Sequence, residues 1–178
     1  RIINEGAPKY LNSPETPVFH KSRVLYGLNE TARYIRSEDR AIIVEGYMDL
    51  VSLYQAGLKP VVAIMGTAMT DDHAFQLKNL TKNIYLLLDG DQAGLTAAER
   101  SLPILLKAGF HPKGVALPQE MDPDDYVKKY GIENLEKELA KADDLFVLIM
   151  NRWIGEGSMG QTDKIKIIDR LAPFLLSV

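Results

Sequence analysis

Short runs of apolar and β-branched residues alternate along the chain with longer amphipathic segments. The runs lie at residues 41–44, 61–65, 84–88 and 115–117. Each has the length and composition of a strand that is buried on both faces of a sheet. Because helix-like segments and short connections separate the runs, the pattern predicts an α/β fold with a mainly parallel central sheet flanked by helices.

The segments between and after these runs have the spacing and end residues of helices. They lie at residues 29–37, 47–56, 70–80, 92–108, 133–142, 144–152 and 161–176, and one more begins at Asp122-Pro123. Asn29 and Thr70 are expected as N-caps, and Pro123 occupies the first helical position, which proline favours. Only helices are predicted after residue 130, as a C-terminal helical appendage in which Trp153 is expected to be a core residue.

Acidic residues stand at or shortly after the ends of three of the four predicted strands. They are Glu45 after the first, Asp89 and Asp91 after the third, and Asp122 and Asp124 after the fourth. The carboxyl ends of parallel strands share one edge of a sheet, so these side chains are expected to lie together. Crowded carboxylates need a cation to remain ionised. These residues alone also leave an alternative open: the acids could belong to ordinary turns and cap the next helix.

Composition narrows the chemistry that such a cluster supports. The chain has 178 residues, no cysteine and a formal net charge of −3. These numbers exclude a disulfide scaffold, a thiolate zinc site, a thiol nucleophile and a global basic surface for nucleic acid. No apolar run approaches the roughly 20 residues of a membrane span.

Carboxylate ligands without histidine or cysteine favour Mg²⁺ or Mn²⁺ over zinc. Two such ions about 3.5–4 Å apart clamp the attacking and leaving oxygens of phosphoryl transfer. The residues alone therefore predict divalent-metal chemistry on a phosphate ester or anhydride, without indicating which one.

Four successive motifs resemble those of a Toprim domain, the fold shared by bacterial primases, type IA and type II topoisomerases and some nucleases. They are Glu45-Gly46-Tyr47-Met48-Asp49, Met65-Gly66-Thr67, Asp89-Gly90-Asp91-Gln92-Ala93-Gly94 and Asp122-Pro123-Asp124-Asp125. Residues 8–16 and 19–21 further resemble the segment that precedes the Toprim domain in bacterial replicative DNA primases. The resemblance covers about residues 1–140 and implies three parts. These are the end of an N-terminal polymerase subdomain with its connecting segment at 1–37, a Toprim domain at 38–130, and a truncated helical C-terminal part of the polymerase core at 131–178.

The resemblance also implies a role for each acid that matches a motif. Glu45, Asp89 and Asp91 are implied as catalytic residues, with Glu45 a general acid/base or a metal ligand. The same three residues, together with Asp122 and Asp124, are implied as ligands of two or more Mg²⁺ or Mn²⁺ ions. Asp49 is implied as a supporting acid nearby.

Four further residues match positions that the family uses to bind nucleotide phosphates and template. They are Arg1, Lys9, Asn12 and Lys21. Arginine and lysine suit this role because they pair with phosphate oxygens. The activity implied is that of a DNA-directed RNA polymerase that joins ribonucleoside triphosphates into short RNA primers on single-stranded DNA.

The resemblance implies partners and missing parts as well. An RNA–DNA hybrid is the expected product, and the replicative helicase and the single-strand-binding protein are expected to bind through regions outside this chain. Zinc is expected only in a domain that this chain lacks, and the chain alone is expected to be inactive or weakly active. A cytoplasmic location at the replication fork is expected.

Three alternatives accompany this interpretation. In a haloacid-dehalogenase-like phosphohydrolase Asp89 would be a covalent nucleophile, but Ala93 stands where that family has threonine or valine, and Glu45 would have no role. A Toprim nuclease or topoisomerase is a closer alternative, although no nucleophilic tyrosine is identifiable for the latter. In the third, a non-catalytic nucleic-acid-binding scaffold, the acids would be structural. The variant Asp89→Asn separates the scaffold from a catalyst, since a scaffold with crowded acids should be stabilised whereas a catalyst should lose turnover.

Overall fold

The computed structural model describes residues 13–17, 19–65, 68–118 and 121–155. The strands are β1 Ala41–Val44, β2 Val61–Ala63, β3 Asn83–Leu88, β4 His111–Ala116 and β5 Asp143–Asp144. The α-helices are α1 Leu28–Glu38, α2 Tyr47–Gln55, α3 Asp71–Lys78, α4 Gln92–Lys107, α5 Pro123–Tyr130, α6 Ile132–Ala140 and α7 Leu145–Gly155. A 3₁₀ turn, Lys21–Arg23, precedes them. The helix predicted at 161–176 and the motif residues Gly66 and Thr67 lie outside the described residues.

The strands form one sheet in the order β2-β1-β3-β4-β5. β1 pairs in parallel with both β2 and β3, and β4 pairs in parallel with β3. The prediction of a mainly parallel α/β sheet is therefore confirmed. β5 runs antiparallel to β4 through the pair Lys113 and Asp144, and this strand was not predicted.

Helices cover both faces of the sheet, because successive strand residues point to opposite sides. Ile43 and Leu86 belong to a core that they share with α1, α3, α4 and α7. Ile42 and Leu87 belong to a second core, which includes α2, α5 and α6. Within the described residues, none of the helices is both apolar enough and long enough to cross a bilayer.

The helices after residue 130 pack onto these same two cores. α6 buries Leu135 in the second core, and α7 buries Leu145 and Trp153 in the first. Trp153 is thus a core residue, as predicted, and its indole Nε1–H donates to Glu99 Oε1 at 2.6 Å. Gly114 of β4 admits α7, since a Cβ there would lie 2.8 Å from Leu145 Cδ1. The boundary at residue 130 remains a prediction.

Three element ends differ from the sequence-based expectation. α1 is preceded by Gly27 at φ +83°, so Asn29 lies inside the helix and the prediction of an Asn29 cap was wrong. β2 ends at Ala63, before a turn in which Met65 has φ +53°. β4 begins four residues earlier than predicted, at His111. Thr70 does cap α3, since its side chain accepts a hydrogen bond from His73 N–H at 3.1 Å.

Candidate active site

The acids after β1 and β3 lie at the point where the chain direction across the sheet reverses. From β1 the chain passes to β2 on one side, and then crosses to β3 on the other. Such switch points leave a crevice beyond the carboxyl ends of the two central strands, where open α/β sheets bind ligands. Glu45 and Asp89 directly follow these two strands.

Gly90 allows a second loop to approach the end of β3. Its N–H donates to Met121 O at 3.0 Å, and a Cβ on Gly90 would lie 2.0 Å from Pro118 O. Any larger residue would collide with that backbone. The close contact places Asp122 near enough to Asp89 for its charge to affect the pKa of Asp89.

Asp91 is the N-cap of α4. One carboxylate oxygen accepts a hydrogen bond from Gly94 N–H at 2.8 Å and so caps the helix. Gly94 in turn packs against the backbone of Asp89, because a Cβ there would lie 2.7 Å from Asp89 O. The capping alternative is therefore correct for one oxygen of Asp91.

Asp122 repeats this arrangement at the start of α5. Its Oδ1 accepts a hydrogen bond from Asp125 N–H at 2.8 Å, with Pro123 at the first helical position as predicted. One carboxylate oxygen from each of Asp122, Asp124 and Asp125 lies within 4.8 Å of the others, a group able to hold a metal ion. Asp124 also accepts a 2.6 Å hydrogen bond from Lys128.

Asp49 joins the cluster from the first turn of α2. It is buried, and its Oδ2 accepts a hydrogen bond from Gly46 N–H at 3.2 Å. Burial and the charge of Asp122 raise the pKa of Asp49 to about 6, while the N–H groups of Gly46 and Asp124 oppose the shift. The structure thus places the predicted supporting acid beside the predicted metal ligands.

The pKa of Asp89 is raised to about 7, chiefly by burial and then by the charges of four neighbouring acids. In order of effect these are Glu45, Asp49, Asp122 and Asp91. Burial also raises the pKa of Glu45, with a further contribution from Asp91. Within the part of the chain that the structure describes, no lysine or arginine forms an ion pair with Glu45, Asp89 or Asp91.

Two carboxylate oxygens of this cluster are buried without any hydrogen-bond partner among the described residues. They are Glu45 Oε1 and Asp89 Oδ1. Leaving such an atom unpaired in the interior costs about 1–3 kcal/mol, and more if it carries charge. Bound divalent cations would give such oxygens partners and offset the repulsion between the acids. Because the donors are hard oxygens, the residues present fit Mg²⁺ or Mn²⁺.

A cleft of about 650 Å³ opens beside the acids, between β3, β4, α4 and α7. Asp89 and Asp91 form one wall, Leu95 and Leu117 add apolar surface, and Arg152 lies on the side of α7. The sequence analysis did not identify Arg152, because nothing in a helix pattern shows which strand ends its side chain will face. It also missed the pair of Lys128 with Asp124, although their spacing of four residues on a helix is a usable indication.

Of the four residues predicted to bind nucleotide or template, the structure describes one, Lys21. Lys21 lies in the 3₁₀ turn, where its N–H donates to Glu15 Oε1 at 3.0 Å. Arg1, Lys9 and Asn12 lie outside the described residues. The structure therefore brings the acids together, and the roles of the four basic-segment residues remain predictions.

Comparisons with known proteins agree with this geometry. A family model described as Toprim-like matches residues 42–127, and that of the DNA primase catalytic core, N-terminal domain, matches residues 1–32. A DNA primase of Aquifex aeolicus is 44% identical over 146 residues, which are 82% of this chain and 29% of that protein.

Two solved structures extend the match. A crystal structure of a DNA primase domain from Pseudomonas aeruginosa is 36% identical, with a TM-score of 0.86 over 100% of this chain and 57% of that one. A DnaG primase catalytic domain bound to ssDNA is also 36% identical, with a TM-score of 0.80 over 100% of this chain and 59% of that one. The chain thus spans less than a third of the Aquifex relative's length. It belongs to the bacterial DNA primase family and contains the Toprim region of the primase catalytic core.

Proposed function

We propose that this chain provides the metal-binding part of a primase, an enzyme that makes short RNA primers on single-stranded DNA by two-metal nucleotidyl transfer. The observation that carries the proposal is that Glu45 and Asp89, within a group of neighbouring acids, each have a buried oxygen with no hydrogen-bond partner among the described residues. A structural scaffold would gain nothing from burying unpaired carboxylate oxygens, whereas a site for divalent cations needs carboxylate oxygens that are available to bind the ions. Membership of the primase family supports the reaction class.

The acids divide into ligands and supports. Glu45, Asp89 and Asp91 hold the ions at the ends of the central strands, and Asp122 and Asp124 complete the site from α5. When bound, two Mg²⁺ or Mn²⁺ ions supply positive charge that lowers the pKa of an attacking 3′-hydroxyl and offsets the triphosphate charge.

Three acids of the site have raised pKa values, and of these Asp49 and Glu45 are the candidates for holding protons while Asp89 binds an ion. Asp49 has a pKa of about 6, and its Oδ2 accepts a hydrogen bond from Gly46 N–H, which fixes the start of α2. Glu45, whose pKa burial also raises, holds or releases a proton at its carboxylate as general acid/base when it is not bound to an ion.

Single-stranded DNA and ribonucleoside triphosphates are the proposed partners. A similar primase catalytic domain has been solved bound to ssDNA, which supports the template. Arg1, Lys9 and Lys21 would contact phosphates of the template or the nucleotide, since cationic side chains provide most of the affinity for a polyanion. Asn12 would bind through hydrogen bonds of its neutral amide. Helicase, single-strand-binding protein and zinc would bind in regions of the whole protein outside this chain.

The experiment uses the full-length protein with the variants Glu45→Gln and Asp89→Asn. Primer synthesis is followed on single-stranded DNA with labelled ribonucleotides, and Mn²⁺ binding is measured by calorimetry. Both variants should lose primer synthesis by at least about a hundredfold, because they remove ligands of the ions that would stabilise transition-state charge. The matched control is Asp71→Asn, which neutralises an exposed acid on α3 that pairs with the exposed Lys107.

Two results would contradict the proposal. Unchanged primer synthesis by Asp89→Asn would mean that the acids are structural. Cleavage of the template without primer synthesis by the wild-type protein would instead favour the Toprim nuclease alternative.

A further inference from the structure

Every residue of the 3₁₀ turn Lys21–Arg23 has its backbone carbonyl in contact with a side chain of α3 or of its N-cap. Three consecutive carbonyl oxygens of the turn each contact a polar side chain. The pairs are Ser22 O with Thr70 Oγ1 at 2.6 Å, Lys21 O with His73 Nε2 at 3.2 Å and Arg23 O with Gln76 Nε2 at 2.8 Å. A surface connection does not need three such contacts, since water satisfies exposed carbonyls.

His73 gives the clearest sign that this attachment has a purpose. The side chain is completely buried, and its Nδ1 has no partner among the described residues. A carbonyl oxygen can only accept, so His73 must donate to Lys21 O from Nε2. A leucine would fill the same space without burying an unpaired nitrogen. The polar residue is therefore accounted for by the bond to the turn.

The other side of the turn is attached as well. The Glu15 carboxylate accepts a hydrogen bond from Lys21 N–H at 3.0 Å and contacts His20 Nδ1 at 3.0 Å. Three residues after the turn, Tyr26 exchanges two backbone hydrogen bonds with Ala63 at the outer edge of β2, at 2.9 and 3.1 Å. The backbone of Lys21 is thus held in place relative to the sheet that carries the acids.

From these contacts we infer that Thr70, His73 and Gln76 are positioning residues, which fix the backbone of Lys21 so that its ammonium group meets template or nucleotide phosphates at low entropic cost. The inference rests on the proposed function, in which Lys21 is one of the phosphate-binding residues. The three α3 side chains themselves touch no substrate. A fixed backbone removes part of the conformational freedom that a long side chain loses on binding.

The test is a double-mutant cycle in the full-length protein. Gln76→Met removes the donor while keeping the length of the side chain, and Lys21→Ala removes the ammonium group. The dissociation constant for a single-stranded oligonucleotide and the KM for template in primer synthesis are measured for both single variants and the double variant. The matched control is Gln55→Met, which changes an exposed glutamine on α2.

Gln76→Met should raise the dissociation constant and the KM by about 3- to 10-fold, the range for one lost hydrogen bond, while kcat changes less than about twofold. In the Lys21→Ala background the same change should have no further effect, because the group that α3 positions is absent. Lys21→Ala should also reduce the slope of the logarithm of the binding constant against the logarithm of the salt concentration by about one, the contribution of one phosphate contact. Mn²⁺ affinity should be unchanged in all variants.

Equal effects of Gln76→Met in the two backgrounds would overturn the inference, since α3 would then act only on stability. An unchanged KM and dissociation constant would also overturn it. Both results leave the proposed function intact as long as the wild-type protein makes primers and Asp89→Asn does not. A wild-type protein that makes no primers overturns the proposed function and this inference together.

Discussion

Asp89→Asn should make the metal-free protein more stable, even though it should abolish activity. The change replaces a partly buried carboxylate with a neutral amide of almost the same shape. In the wild-type protein the pKa of this carboxyl is about 7, against an ordinary value of 3.8, because of burial and four neighbouring acids. The folded protein is therefore destabilised by the ionised form, and the variant removes that form.

The magnitude follows from the pKa. A rise from 3.8 to about 7 corresponds to about 4 kcal/mol of unfavourable free energy above pH 7, at about 1.4 kcal/mol for each tenfold change in the ionisation constant. The side chain is only partly buried, so solvent screening reduces this to about 1–2 kcal/mol. For a chain of this length such a gain raises Tm by about 3–6 °C.

The pH dependence has a definite sign. A carboxyl whose pKa is raised on folding contributes stability that is fully present below pH 3.8 and is lost as pH rises through about 7. The advantage of Asp89→Asn should therefore be greatest above pH 7 and shrink steadily between pH 7 and pH 4. The control Asp71→Asn changes an exposed acid and should alter stability by about 0.5 kcal/mol or less at either pH.

Thermal unfolding by circular dichroism at pH 8 and pH 5, in EDTA and in Mg²⁺, measures these differences. In Mg²⁺ the wild-type protein should gain stability and Asp89→Asn should gain much less. A lower Tm of Asp89→Asn at pH 8 in EDTA would refute the reasoning, and so would a gain of equal size at both pH values.

Three other predictions follow from the geometry. Mn²⁺ affinity measured by calorimetry should fall by up to about tenfold per pH unit below pH 7, because Asp89 must lose its proton to bind; a constant affinity between pH 6 and 8 would contradict this. Gly90→Ala should destabilise the protein by about 2–4 kcal/mol in urea unfolding, since its Cβ would lie 2.0 Å from Pro118 O; an unchanged midpoint would mean that the two loops separate freely. Glu136→Gln should lower the free energy of unfolding by about 1–2 kcal/mol, because Arg40 donates two 2.8 Å hydrogen bonds to the Glu136 carboxylate and this pairing raises the pKa of Arg40. An unchanged urea midpoint would contradict this.

The sequence was sufficient to predict the central strands and the meeting of the acids. Residues 41–44 and 84–88 are continuous apolar runs, and only a strand buried on both faces needs such runs. Once those two strands are parallel neighbours, Glu45 and Asp89 must lie at the same edge. The convergence of the site therefore follows from topology and needs no knowledge of side-chain contacts.

The outer part of the sheet could not be predicted in the same way. The part of β4 before Val115 contains Pro112 and Gly114, which are poor strand formers, and their burial comes from contact with neighbouring elements. β5 consists of two exposed aspartates, Asp143 and Asp144, that pair with β4. Neither segment has an apolar pattern, because tertiary pairing and not local preference determines its structure.

The choice between helix cap and metal ligand could not be made from sequence, because it concerns single oxygen atoms. Asp91 and Asp122 each give one oxygen to the N–H groups that begin a helix. Those N–H groups, and the positive end of the helix dipole, stabilise part of the negative charge. A residue type in a motif cannot reveal how its two oxygens are shared between these tasks.

This division of tasks explains which acids depend most on a cation. Glu45 and Asp89 follow strands directly and cap no helix, and each has a buried oxygen without a partner among the described residues. Their pKa values are raised by burial, which is the opposite of what a capping interaction does. The backbone contacts at Gly90 and Gly94 nevertheless hold Asp89 in place, so the fold does not relax to separate the acids. We therefore expect ionisation of Glu45 and Asp89 together to be favourable when a divalent cation is bound.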